Sequence, residues 1–384
     1  MSEAVIVSAA RSPIGQAGSG LLAGEFPETL ASKMIHAALA KVPQLELRDV
    51  GHLHLGYGRL DHRSGAKVAR RIAVLLGLEK LPATTVTRLC ASSVQTARMA
   101  FHAIKEGTDR VFISAGVECA SGYPPQPPAS RGSIRRSQPE HAPLPDVHAS
   151  MAGTAEGLAS SLGISRYEQD EFGVRSHLLA EQAIESGFYA NEITPVTRPD
   201  GSVVTADDSP RTGVSYGSVS QFTPSFRPQG TITPGNSAPL GDGAAAVIIM
   251  SDEKARELGI TPLARIVATG VTELSPQPVG LGAVEAASRA LESAGMAIGD
   301  MDLIEINEAF AAQVIATYRA LKLDVGKLNV HGGAIALGHP FGMTGARIMT
   351  TLINGLQSKD LQLGLETLCA GGGQGMAIII ERLS

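Results

Sequence analysis

The chain has 384 residues, 43% of them hydrophobic, which is enough to bury large cores in two or three domain-sized units and excludes a disordered protein. A formal net charge of −5 provides no broad basic field, so nucleic acid is not expected as a partner and any anionic ligand must rely on local basic residues. Three cysteines, odd in number and set in apolar or glycine-rich runs, argue against a disulfide framework and for a reducing compartment.

The N-terminus enters a strand pattern at Ala4-Val5-Ile6-Val7 without the basic flank, apolar core or cleavage site of a signal peptide. No uninterrupted apolar run approaches the ~20 residues that span a bilayer. The last residues, Arg382-Leu383-Ser384, are not a peroxisomal signal. A cytoplasmic location with no membrane partner is therefore expected.

Along the chain, short β-rich runs at 4–8, 50–56, 83–86 and 110–115 alternate with helical patterns, which predicts a sheet covered by helices on both faces. The texture changes at 122–145, where seven prolines and the bases Arg131, Arg135 and Arg136 predict a long extended loop of the kind that often carries function. Helices are predicted at 154–161 and 166–186, then a Ser/Pro/Gly-rich passage returns to a strand at 244–250. The second half repeats the style, with strands at 265–268, 301–307, 328–330, 365–368 and 376–381 and helices at 282–294, 309–321 and 342–356. The chain thus reads as two α/β halves, with an insertion over roughly 120–240 inside the first; a linker between domains is the plainer alternative, but linkers rarely hold a helix of ~20 residues.

Four motifs carry chemistry. Cys90, in Arg88-Leu89-Cys90-Ala91-Ser92-Ser93-Val94-Gln95, sits where a strand pattern gives way to the helical pattern 92–105. A thiol at a helix N-terminus faces unpaired N–H groups, which can lower its pKa from ~8.5 to ~3.5–7.5; the bland alternative is a small buried core residue. His339 is surrounded by Gly332, Gly333, Gly338, Gly342 and Gly345 and followed by Pro340, a pattern that displays an imidazole on a tight turn before a helix, although a lone histidine is usually just a satisfied group. Cys369 precedes Gly371-Gly372-Gly373, a hairpin-like turn whose backbone N–H groups suit an oxyanion hole or a tightly held thioester. A phosphate loop or an ordinary flexible hairpin are the competing readings of that turn, and the former lacks the Lys-Ser/Thr that should follow. Asn307-Glu308-Ala309-Phe310 emerges at the carboxyl end of the strand pattern 303–306, where α/β proteins bind ligands, unless Asn307 is simply a helix N-cap.

In this order and near these spacings, the four motifs resemble the thiolase family, most closely in form the 3-ketoacyl-CoA thiolases of β-oxidation, and the match extends over essentially the whole chain. The resemblance implies a thiolase fold: two similar α/β halves with mixed sheets and central helices, over 1–119 with 241–262 and over 263–384, and an inserted loop domain over 120–240 that covers coenzyme A and makes oligomer contacts. It implies that Cys90 carries the acyl group, His339 activates it, Asn307 holds a water that helps stabilise the enolate, Cys369 is the second acid/base, and backbone N–H groups of Cys90 and Gly371 form the oxyanion hole. That division of labour meets the needs of 3-ketoacyl thioester cleavage, which requires a soft nucleophile, a stabilised enolate and a proton donor, and no metal or permanently bound cofactor.

For coenzyme A, held as a substrate, the resemblance implies contacts from Met151, Arg211, Ser218, Phe226, Ser237, Ala238, Ala309 and Phe310. Departures are visible. Ser150 stands where the family has His, Ala238 where it has Ser, Thr87 and Ser93 where many members have Asn and Gly, and Val279, Leu281 and Ala283 alter the acyl-pocket element. The Pro-rich loop lacks the pattern that pairs dimers, so a homodimer is expected, with a tetramer and a hydratase–dehydrogenase partner subunit left open. An acetoacetyl-CoA-forming acetyltransferase, a condensing enzyme acting on carrier-protein substrates, and an inactive thiolase-like scaffold or CoA-binding subunit are the alternatives. His52 and His54 alternate on one strand without a third ligand at metal-binding spacing, and Cys119 reads as a packed residue.

Overall fold

The structure, a computed structural model, describes residues 2–60, 65–123, 150–273 and 281–384. Its strands are β1 Ala4–Arg11, β2 Gly15–Gln16, β3 His52–Tyr57, β4 Ala83–Val86, β5 Val111–Cys119, β6 Val196–Thr197, β7 Val203–Val204, β8 Gly241–Ser251, β9 Ala264–Glu273, β10 Leu303–Ile306, β11 Leu363–Ala370 and β12 Gln374–Arg382. Its α-helices are α1 Pro27–Ala40, α2 Val68–Leu75, α3 Ser92–Glu106, α4 Met151–Ser161, α5 Arg166–Glu185, α6 Tyr216–Val219, α7 Asp252–Leu258, α8 Gly282–Ala294, α9 Ala311–Leu321, α10 Ala334–Leu337 and α11 Thr344–Ser358. The Pro-rich stretch from residue 124 onward, with Arg131, Arg135 and Arg136, and Val279 lie outside the described residues.

The main sheet runs β4-β3-β5-β8-β1-β9-β12-β11-β10, with β2 beside β8. Outward from the β1/β9 centre, both arms follow one pattern. β1–β8 and β8–β5 are antiparallel and β5–β3 and β3–β4 parallel. In the other arm β9–β12 and β12–β11 are antiparallel and β11–β10 parallel. Residues 328–330, predicted as a strand, contribute only a parallel bridge from Leu328 to Ile304. Asn329 at φ 44° lies in the left-handed region and turns the chain away before a ladder can form. Between the arms, β1 and β9 pair antiparallel through Val5 with Arg265 and Ile6 with Ala264.

Strand alternation sorts the apolar side chains into separate cores. On β8, Ala245, Val247 and Ile249 enter a central core with α3 and α11, whereas Ala244, Ala246, Ile248 and Met250 enter an outer one with α1 and α2. A third core packs α8 and α9 against the far face of the second arm, through Ile304, Ile306, Leu365, Ala377 and Ile379. The layers are therefore helix, sheet, helix, sheet, helix.

Local chemistry explains the element ends. α1 opens with Pro27, whose missing N–H costs nothing at a first turn, and α5 carries a reciprocal Ser165/Glu168 capping box. α9 starts at Ala311 rather than 309 because Phe310 is extended and bridges Ser237. Ser150 caps α4 by accepting the Gly153 N–H at 3.0 Å, which gives the residue at the family's His position a structural job.

The two central helices touch at their N-termini. A Cβ on Gly345 would lie 2.7 Å from the Val94 nitrogen, and one on Gly116 only 2.0 Å from the Gly342 carbonyl oxygen. The Ala346 N–H, in the first turn of α11, donates to Ser93 Oγ at 2.9 Å. The serine that departs from the family pattern at 93 thereby caps a neighbouring helix whose own N-cap, Met343, offers no side-chain bond. Gly116→Ala is expected to destabilise the fold by about 1–3 kcal/mol, because backbone on both sides prevents relaxation. A urea unfolding midpoint equal to that of the parent protein would show that the strand and the loop can separate at no cost.

Candidate active site

Cys90 lies in a 3-10 turn, Leu89–Ala91, two residues before α3. The turn is tight: Arg88 N–H donates to Ser92 Oγ, Ser92 Oγ donates to the Leu89 carbonyl, and Leu89 takes φ 50°, a left-handed conformation costly for a leucine. Such strain persists only where surroundings fix it, and here it presents the Cys90 thiol toward β11.

His339 is fixed from both ring nitrogens. Thr344 Oγ1 donates to the Pro340 carbonyl at 2.9 Å, so it can only accept from His339 Nδ1–H, which lies 2.8 Å away. That leaves the Nε2 lone pair facing the site, with Asn307 Nδ2 donating to it at 3.3 Å. The His339 backbone N–H donates to the Pro239 carbonyl, tying the turn to the segment before β8. Burial, with the Arg347 charge nearby, pushes the imidazole down to about 3, so it is a neutral base at neutral pH.

Asn307 does not cap a helix: the N-cap of α9 is Phe310, and Asn307 Oδ1 is buried with no partner among the described residues. Its backbone N–H donates to the Thr367 carbonyl, which seats it beside β11. Cys369 lies near the end of β11, in register with Gly375, and its thiol donates to Gln313 Oε1 at 3.5 Å. Gly371 begins the hairpin turn in which Gly372 and Gly373 take φ 79° and 87°. A Cβ on Gly371 would meet Leu89 Cδ1 at 2.6 Å and Met151 Sδ at 3.8 Å, so the Cys90 turn, the Cys369 hairpin and the start of α4 converge. The Cys90 turn thus meets the Cys369 hairpin at Gly371, while Asn307 links His339 to Thr367, two residues before Cys369 on β11.

One expectation is corrected. The helix N-terminus does not lower the Cys90 pKa in this state: burial, then the nearby Cys369 and Glu118, push the thiol well up, and its backbone hydrogen bond only partly offsets them. Burial likewise pushes Cys369 up to about 12. Both thiols and the imidazole rest uncharged.

The ligand-binding candidates fall into two groups. Ser237 bridges Phe310, the Ala238 N–H donates to the Ala309 carbonyl at 3.1 Å, and the Phe226 ring stands edge-on to Phe310 at 6.3 Å. These five lie together, and Met151 Sδ faces Gly371 in the Cys369 hairpin. Arg211 lies farther along, with its guanidinium 5.1 Å from the Phe222 ring centroid, and Ser218 is exposed and bonded to Ser215. Ser237 does not replace the hydroxyl missing at 238, because its proton is donated to the Thr233 carbonyl at 2.7 Å.

Three functional residues were invisible in the motifs. Thr344 sets the His339 tautomer. Glu118 accepts the Gly58 and Gly342 N–H groups at 2.8 Å each and so clamps the histidine loop to the end of β3; burial raises its carboxyl to about 7. Gln313 faces Cys369. Gln313 follows Phe310 by three residues, a helical offset that could have drawn attention to it, whereas Thr344 opens the helix after His339. Away from the site, His52 and His54 stack at 4.6 Å, with His54 against Phe112, and among the described residues no group of three ligand side chains could hold a metal. Cys119 is buried at the end of β5.

A cysteine turn and a histidine turn, each feeding a central helix of a matched α/β arm, define an acyl-transfer enzyme of the thiolase type. The thiolase N-terminal domain matches residues 4–253 and the thiolase C-terminal domain residues 260–382. A 3-ketoacyl-CoA thiolase of Marinobacter nauticus is 38% identical over 99% of this chain and 98% of its own. An acetyl-CoA acetyltransferase of Cupriavidus necator is 39% identical over the full length of both. The crystal structure of human mitochondrial 3-ketoacyl-CoA thiolase in complex with CoA superimposes with a TM-score of 0.91 at 33% identity, covering 100% of this chain and 98% of that one. The chain belongs to the thiolase family.

Thr344→Val keeps the shape of the side chain but leaves a buried Nδ1–H unpaired, at a cost of ~1–3 kcal/mol, and releases the tautomer. The expected outcome is a turnover ~10-fold or more below the parent with an unchanged circular dichroism spectrum. Parent-like turnover would show that Thr344 does not set the proton on His339.

Proposed function

We propose that the protein cleaves 3-ketoacyl-CoA with free CoA, or runs the reverse Claisen condensation, through an acyl group carried on Cys90. The observation that carries this reading is the Thr344–His339–Asn307 chain, which holds the imidazole with its Nε2 as the acceptor and only an exchangeable 3.3 Å amide contact on it. As Cys90 Sγ attacks the keto carbon, its proton passes to His339 Nε2, so the thiolate forms only as the new bond does. The C2–C3 bond then breaks and leaves the enolate of acetyl-CoA, whose oxygen is met by His339 and by a water on Asn307. The Cys369 thiol gives its proton to C2. Incoming CoA returns a proton to Cys369, its sulfur takes the acyl group, and His339 re-protonates Cys90. Backbone N–H groups of Cys90 and Gly371 serve the tetrahedral oxyanion.

In this reading Met151, Phe226, Ser237, Ala238, Ala309 and Phe310 flank pantetheine, while Arg211 and Ser218 reach the nucleotide end, within a loop domain over 120–240. Without a hydroxyl at 238, backbone and apolar contacts hold pantetheine there. The Arg88-Leu89-Cys90 form favours degradation. The C. necator relative keeps the acetoacetyl-CoA-forming alternative in view. A cytoplasmic homodimer fits three free thiols, and β4, an edge strand, offers unpaired backbone to a second copy. Among the described residues no helix is long and apolar enough to cross a membrane.

Incubation with acetyl-CoA should add one acetyl group to the intact mass, localised to Cys90 and absent in Cys90→Ala. An unmodified parent protein would instead support a scaffold or CoA-binding subunit. In a chain-length series, turnover of longer 3-ketoacyl-CoA substrates is expected. Activity confined to acetoacetyl-CoA would overturn the degradative assignment.

A further inference from the structure

Gln313, in the first turn of α9, is buried, and its two amide ends are treated differently. Oε1 accepts the Cys369 thiol at 3.5 Å, whereas Nε2 has no partner among the described residues. A buried donor left unpaired is costly, so the fold carries an N–H group that the resting state does not use. The torsion that carries a glutamine amide is broad and roughly two-fold, and rotating it exchanges oxygen for nitrogen at little cost. The residue is held in place meanwhile: its backbone N–H donates to the Phe310 carbonyl and its carbonyl accepts from Thr317 Oγ1 at 2.7 Å.

We propose that Gln313 is a positioning residue for Cys369, with its oxygen holding the thiol and, after a rotation of the amide, its nitrogen donating to the thiolate. The inference rests on the proton-exchange role given to Cys369 above. In the cleavage direction the S–H bond breaks and a C–H bond forms at C2 of the acetyl group, the S–H electron pair staying on sulfur. The thiolate, buried and far from solvent, then takes up the Gln313 N–H until CoA returns a proton. In the condensation direction the same N–H stabilises the thiolate before it removes a methyl proton from acetyl-CoA.

The test separates this step from acyl transfer. Exchange of the acetyl-CoA methyl protons in deuterium oxide, followed by proton NMR, reads the Cys369 step; the final extent of acetylation at Cys90 reads the nucleophile. Gln313→Leu removes both amide ends, and Gln313→Glu keeps the size while offering a carboxylate that only accepts. Because a hydrogen bond to a charged group contributes ~1.5–3 kcal/mol, exchange is expected to fall ~10–100-fold in both variants, with its pH profile displaced upward and Cys90 acetylation retained. The proposal is overturned if exchange in the well-folded Glu variant stays within about threefold of the parent, or if exchange and acetylation fall together in both variants. A parent protein that acetylates Cys90 yet exchanges no methyl protons would remove the role of Cys369 itself, and that of Gln313 with it.

Discussion

The catalytic geometry depends on a contact with no room for a side chain, where the N-termini of α3 and α11 meet and Gly116 lies against Gly342. Cys90 stands two residues ahead of one helix and His339 five residues ahead of the other, so the spacing of the cysteine and histidine turns is set by backbone packing rather than by flexible side chains. Glu118 reinforces the contact from below by accepting N–H groups from both the histidine loop and the end of β3. A site built on the ends of rigid helices holds its atoms to a tolerance that loops alone do not provide.

Desolvation is the dominant electrostatic effect in the site. The stabilisation a helix N-terminus offers a thiolate is typically ~0.3–1 kcal/mol, while full burial can shift an ionisable group by several pKa units at ~1.4 kcal/mol each. Burial therefore wins, and the resting state stores no ion pair. Charge appears only when substrate chemistry creates it, which makes the surrounding neutral dipoles of Asn307, Gln313 and Thr344 the groups that meet it. The two thiols are distinguished by their neighbours: Cys90 lies near Cys369 and the Glu118 carboxyl, whereas Cys369 donates to the Gln313 amide.

Much of this was legible in the sequence, for identifiable reasons. The strand at 83–86 and the helix at 282–294 coincide with β4 and α8, because their patterns are bounded by clear turn signals. The reactive residues announced themselves through glycines that the close backbone approaches require. What was hidden lies in long-range partners. Nothing near residue 93 shows that its hydroxyl caps a helix 253 positions away, and nothing near Glu118 marks it as a clamp on Gly342. The Cys90 prediction failed because local sequence shows the helix that follows but not the protein packed over the thiol. The run 328–330 has strand composition, yet one residue at positive φ ends it.

The repeated arm pattern, whose strands pair through Val5 and Ile6 with Arg265 and Ala264, bears on how such a chain could have arisen. Each arm alone presents a turn leading into a central helix, and each turn holds half of a reactive pair. A duplicated ancestor with identical arms would have placed like beside like. Only after the copies diverged, one toward sulfur and the other toward nitrogen, could the seam between them become chemically productive, and from then on neither copy could be lost.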